Sequence, residues 1–272
     1  MEKRPISEEY KQYLQKSPGV DLGDRVYIDR KTLIGADFSG MRVEGFEARG
    51  CTFKDCCFDG ARIGQMWFAG GKEQTVYKNC SFDNVRTKYT TGLRVRIEGC
   101  SFKDVRIIGW SLRLCDLVNN TFTGTMKAGI SGGSFWGAPM PYDQKHFRPF
   151  KKTNEFRGND FSGCTLVGMD FRRGVDLRLQ KLPTGYNYIY MEDGKRALKQ
   201  ALQKLDTWED KELAKSMRSY FDIWNEKIEN GQKQLFICYD TGTLERAWPR
   251  LREAFYGEET PVDTWSDSNE QS

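Results

Sequence analysis

The chain has one histidine, His146, and eight cysteines among its 272 residues. These side chains set the limits on catalysis. A Ser-His-Asp arrangement would have to run through His146, and a His-rich metal site is excluded. The glycine-rich run GISGGSFWG (residues 129–137) lacks the Lys-Ser/Thr ending of a phosphate loop and joins no strand to a helix. Its serines have no base nearby in sequence. Outward acids such as Asp55 and Asp59 recur with the repeat described below. No cysteine pair has the CxxC spacing of a redox or zinc site. The expectation is a protein with no catalytic residues, no cofactor and no metal.

The elements that carry these residues follow a five-residue period. From Val26 the blocks are VYIDR, KTLIG, ADFSG, MRVEG, FEARG, CTFKD, CCFDG, ARIGQ and MWFAG. The pattern resumes with CSFDN at Cys80. It continues with VRIEG, CSFKD, VRIIG, WSLRL, CDLVN and NTFTG over 95–124, then NEFRG, NDFSG, CTLVG and MDFRR over 154–173. The third residue of each block is large and apolar: Ile28, Leu33, Phe38, Val43, Phe53, Phe58 and so on. The first is small or apolar, and Cys51, Cys56, Cys80, Cys100, Cys115 and Cys164 all stand there. A period of five matches neither a helix nor a flat strand. It requires a corner every five residues, so that four blocks close a coil of twenty. Gly, Asp and Asn at block ends suit the corners. Two side chains per block then point inward. The six cysteines become core filler, since a free thiol packs as a small hydrophobe.

These blocks closely resemble those of the pentapeptide-repeat family. The resemblance implies a mainly β fold, a right-handed quadrilateral β-helix (solenoid), here of about five coils over residues 26–177. The strand spacing gives a rod of about 25 Å, and residues 1–25 are expected to form an N-terminal cap. Several family members protect DNA gyrase or topoisomerase IV from drugs and toxins, and loops projecting from the coil matter there. Members proposed to mimic DNA present an acidic face. Residues 26–177 here carry net charge +7, a departure from that pattern.

Interruptions of the repeat predict loop insertions at 71–79, 85–94 and 125–153. The longest concentrates aromatic and basic side chains, the usual makings of a binding hot spot. The candidate partner-binding residues there are Phe135, Trp136, Tyr142, His146, Phe147, Arg148, Phe150, Lys151 and Lys152.

After Arg178 the repeat ends. The spacing predicts strands at 186–191 and 234–239, and helices over 194–205, about 207–229 and 244–256. Asp206 with Glu209 is read as a capping box, and Pro249 as a kink or the true start of the last helix. This C-terminal unit, 186–257, can cap the open end of the rod, form a homodimer interface or stand as a separate module. The tail 258–272 is expected to be disordered.

Mean hydropathy is −0.67, and no stretch of 18 apolar residues occurs, so no membrane span is expected. The first residues lack the apolar core of a secretory signal, and many unpaired thiols favour a reducing compartment, the cytoplasm. Three function classes remain open. One is a protein-binding resistance or immunity factor, shielding a topoisomerase or neutralising a toxin. The others are a scaffold or adaptor, and a nucleic-acid binder using the basic coil and aromatic loop.

Overall fold

The structure is a computed structural model and describes residues 20–22, 24–129, 133–140, 153–240 and 242–257. It is a β-solenoid of about five turns built from stacked parallel strands, followed by three helices. Each turn has four walls. The first wall is a six-stranded parallel sheet, including Thr32–Ile34, Thr52–Lys54, Thr75–Lys78, Val95–Glu98, Asp116–Val118 and Phe156–Arg157. The second is a line of single bridges, Asp37 to Cys57 to Ser81 to Ser101. The third pairs 42–43 with 62–63, 86–87 and 106–107. The fourth runs from Arg25–Asp29 to Asp170–Arg172.

The inward third residues of the blocks make the core. Phe38, Phe58, Phe82, Phe102, Phe122 and Phe161 stack in one column, ring on ring, at 4.6–4.7 Å between centroids. Each ring contributes its own burial, and each face-to-face pair adds about 0.5–1.5 kcal/mol beyond that. The block-end corners use left-handed backbone. Positive φ recurs at Gly35, Gly40, Gly50, Asp55, Gly60, Asn79 and Asn84, which explains the residue types there. Cys51, Cys56, Cys80, Cys100, Cys115 and Cys164 are all buried in this core.

The insertions are shorter than the sequence suggests. Between 52 and 76 the register gains four residues, so only 71–74 leave the coil, and Thr75–Lys78 is a regular strand. Segment 85–94 is no loop. Arg86–Leu93 forms a strand spanning the third and fourth walls. Its inward places hold Thr87 and Thr90, whose hydroxyls satisfy each other at 2.6 Å. Two buried polar residues in the apolar places hide the repeat from a hydrophobic pattern. The first part of segment 125–153 also belongs to the coil, with Thr121–Lys127 and Ser134–Trp136 as wall strands.

Strand edges at both ends of the rod are paired or covered, as exposed edges require: the fourth-wall edge at the start, and the last turn at the far end. At the start, Val20–Leu22 pairs antiparallel with Arg25–Asp29. At the far end, the antiparallel pair Tyr188–Met191 and Leu235–Cys238 lies on the last turn. Tyr188, Phe236 and Cys238 join the solenoid core, while Ile189, Leu235 and Ile237 face the helices. Gln232 accepts the Gly174 and Val175 amides at 3.2 and 3.1 Å and donates to the Val175 carbonyl at 2.9 Å. It continues the sheet with a side chain.

The helices are α1 (Gly194–Leu205), α2 (Lys211–Glu229) and α3 (Thr243–Tyr256). Asp210, rather than Asp206, caps α2, accepting the Leu213 amide at 2.9 Å. Asp206 instead closes α1 and pairs with Arg218. Helix α3 starts at Thr243 and runs through Pro249. It is anchored by Arg252, 3% exposed, whose guanidinium donates to the Tyr186 and Tyr188 carbonyls at 3.0 Å each. No helix among the described residues is long and apolar enough to cross a membrane. The tail 258–272 and residues 1–19 lie outside the described residues.

Candidate functional site

Two interruptions leave the rod at one place. Residues 71–74 connect the strand Arg62–Gly70, which ends on the fourth wall, to the first-wall strand Thr75–Lys78. Residues 137–155 connect the fourth-wall strand Ser134–Trp136 to the first-wall strand Phe156–Arg157. Both therefore emerge at the corner between those walls. Their exit points are three strands apart, about 14 Å at ~4.8 Å per strand.

The corner is braced by polar groups. Asp116, fully buried, accepts the Glu155 amide at 2.8 Å and the Gln74 side-chain N–H at 3.2 Å. One carboxylate thus holds the end of the short insertion and the end of the long one. Arg96 lies 3.6 Å from the same carboxylate, donates to Glu155 at 2.7 Å and pairs with Glu98 at 2.7 Å. Arg96 holds Glu98 and Glu155 below the usual carboxylate range, with burial opposing it in both. Arg94 donates to the Gly71 and Lys72 carbonyls at 3.2 and 2.8 Å and so fixes the short insertion. On the N-terminal side of that insertion, Tyr27, Arg30, Arg49, Lys72 and Glu73 line an open groove of about 270 Å³.

The base of the long insertion is closed by Asn154. Its amide donates to the Gly137 carbonyl at 2.8 Å and its side chain to the Trp136 carbonyl at 2.7 Å. Trp136 is half-buried on the fourth wall, with the Arg172 guanidinium 5.5 Å from its ring centroid. Among the described residues, the Trp136 indole N–H and the Asn154 side-chain oxygen have no hydrogen-bond partner.

Of the residues singled out in sequence, Phe135 is a correction. It is 1% exposed and stacks on Phe171 at 4.9 Å, because its place in the strand points into the core. It is packing, not a partner contact. Trp136 stands at the corner. Tyr142, His146, Phe147, Arg148, Phe150, Lys151 and Lys152 lie outside the described residues. Sequence reasoning missed Gln74, Arg94, Asp116 and Asn154. The signal available was Asn154 in a block place held mostly by cysteine, alanine and other apolar residues.

The thiols are not arranged for chemistry. Burial pushes Cys164 up to about 12, and the Cys100 contact together with burial does the same to Cys80. A protonated buried thiol is a poor nucleophile. Among the described residues no cluster of three or more metal-ligating side chains occurs. A stacked solenoid of this kind is typical of non-enzymatic proteins, which use their extended surface to bind. No protein-family model matches the chain, and no curated protein matches it.

Proposed function

We propose that the chain is a non-enzymatic protein-binding module whose contact surface is the corner between the first and fourth walls. One observation carries this reading: the insertion at 71–74 and the connection 137–155 leave the coil at the same corner and share the Asp116 carboxylate. A rod held by stacked rings is rigid. The short insertion, held by Arg94 and Asp116, is pre-organised on it, which lowers the ordering cost of association. The resemblance to pentapeptide-repeat proteins supplies the partner class. The proposed role is a cytoplasmic resistance or immunity factor that shields a gyrase-like topoisomerase or neutralises a toxin.

The test is a supercoiling assay with purified gyrase, a quinolone and the full chain, beside a variant lacking 138–152. The stems of that deletion are already hydrogen-bonded through Gly137 and Asn154. Protection by the full chain and its loss in the variant support the reading. Equal protection by both removes the corner from the mechanism. No protection and no binding by the full chain reject the topoisomerase partner, and a toxin-neutralisation screen then carries the remaining half of the proposal.

A further inference from the structure

The third wall carries a row of arginines in direct register. Arg42 pairs with Arg62, Arg62 with Arg86, and Arg86 with Arg106. All four are exposed. The same row continues through Thr125 and Thr165. At ~4.8 Å per strand the four guanidinium stems span about 14 Å.

Five arginines elsewhere in the molecule are neutralised locally. Arg49, Arg96, Arg157, Arg172 and Arg178 each pair with a carboxylate two residues away on the same strand face or turn. The third-wall arginines do not. Two places after Arg62 and Arg86 stand Gly64 and Lys88; Glu44 follows Arg42 and Asp104 precedes Arg106 by the same two places, without pairing with them. Among the described residues, none of Arg42, Arg62, Arg86 and Arg106 makes an ion pair within 4 Å or a side-chain hydrogen bond. Like charges directly opposite on neighbouring strands are destabilising. Four in a row, none of them ion-paired, lower the stability of the rod and leave a mainly positive linear surface.

We propose that the third wall is a binding surface for the phosphodiester backbone of nucleic acid. One strand of B-form DNA places a phosphate every ~3.4 Å along the axis, so about four phosphates face the row. Arginine and threonine are both common phosphate donors. An acidic protein partner fits less well. Protein hot spots are built round aromatic or apolar anchors in desolvated pockets, and the row itself offers none. The contact is to the backbone, so it carries no base preference. It lies on a different wall from the insertions and stands independently of the protein-binding reading.

The test is fluorescence anisotropy of the full chain with a labelled 20-base-pair duplex between 50 and 200 mM salt. Four phosphate contacts predict a slope of about −3.6 in log affinity against log salt, a loss of about 150-fold over that range. The double variant Arg62→Gln/Arg86→Gln halves the slope and loses about 12-fold over the same range. Its thermal midpoint stays equal to or above that of the unmodified chain, because like-charge repulsion is removed. The variant lacking 138–152 keeps the full slope. The inference is overturned if the double variant keeps the parent slope, or if the loop deletion alone abolishes binding. It is also overturned if a polyglutamate peptide competes as well as unlabelled duplex, or if the full chain does not bind.

Discussion

Replacing Asn159 by alanine tests whether the coil is held by side-chain amides as well as by rings. Asn120 and Asn159, each 1% exposed, stand one above the other in the block place that cysteines fill lower down the rod. The Asn159 carbonyl oxygen accepts the Asn120 backbone N–H at 3.1 Å and the Asn120 side-chain N–H at 2.9 Å. Its own N–H groups donate to the Leu117 carbonyl at 2.8 Å and to Gln180 at 3.0 Å. Asn159→Ala leaves the buried Asn120 amide without its acceptor, which costs about 1–3 kcal/mol, and removes two further bonds at about 0.5–1.5 kcal/mol each. The expected loss of unfolding free energy is about 2–6 kcal/mol, read by urea denaturation with tryptophan fluorescence. The double variant Asn120→Cys/Asn159→Cys should cost less. Cys100 already shows that a thiol serves in this place, where its sulfur accepts the Cys80 amide at 3.4 Å. A single-variant loss below about 0.5 kcal/mol, or a double variant no better than the single, would refute the amide-ladder account.

Three further outcomes are expected. In the native chain Cys57 alone should react rapidly with a thiol reagent at neutral pH, because the other seven cysteines are buried; fast labelling of a second thiol counts against this packing. Lys227→Met should lower stability by about 2 kcal/mol at pH 7, since Lys227 lies 2.9 Å from the buried Asp170 carboxylate, which retains Arg172 at 2.6 Å. Burial raises the Asp170 pKa, but Lys227 and Arg172 outweigh it and hold the group below the usual range. A depressed carboxylate stabilises the fold above its unfolded value near 4, and that contribution disappears as pH falls through the folded value. The gap between parent and variant should therefore narrow as the pH falls below about 4 in a denaturation series, and a constant gap refutes the ion pair. Gly124→Ala should cost at least about 2 kcal/mol by the same denaturation assay, because φ is +88° and a Cβ would collide with the Val105 backbone.

The solenoid was legible because its physics is periodic. Phe38, Phe58, Phe82, Phe102 and Phe122 share one block place, and burial of that place is what the five-residue pattern encodes. What escaped was wherever a polar side chain stands in an inward place with its own partner. Thr87 and Thr90 satisfy each other, so a true coil reads as a loop. Asn120, Asn154 and Asn159 bond within the stack, and their amides look like surface residues in sequence. Asp210 displaced Asp206 as the α2 cap because the helix begins four residues later than its apolar spacing suggests. The arginine row was hidden for another reason. Arg42, Arg62, Arg86 and Arg106 are separated by 20, 24 and 20 positions, and the four-residue insertion at 71–74 must be placed before they align.

That alignment also separates the two proposed surfaces. Along the coil, the corner bearing the insertions joins the fourth wall to the first, whereas the arginines occupy the third. A protein seated on the corner need not cover the row, and a nucleic-acid backbone on the row need not meet the insertions. Sites that share no partner and lie more than about 7–10 Å apart perturb each other little. The deletion of 138–152 and the Arg62→Gln/Arg86→Gln pair should then act independently. Each abolishes or weakens one binding event and leaves the other within about twofold of the parent. If the arginine pair also abolishes protein binding, the third wall belongs to the protein contact, and the row is its electrostatic half rather than a second site.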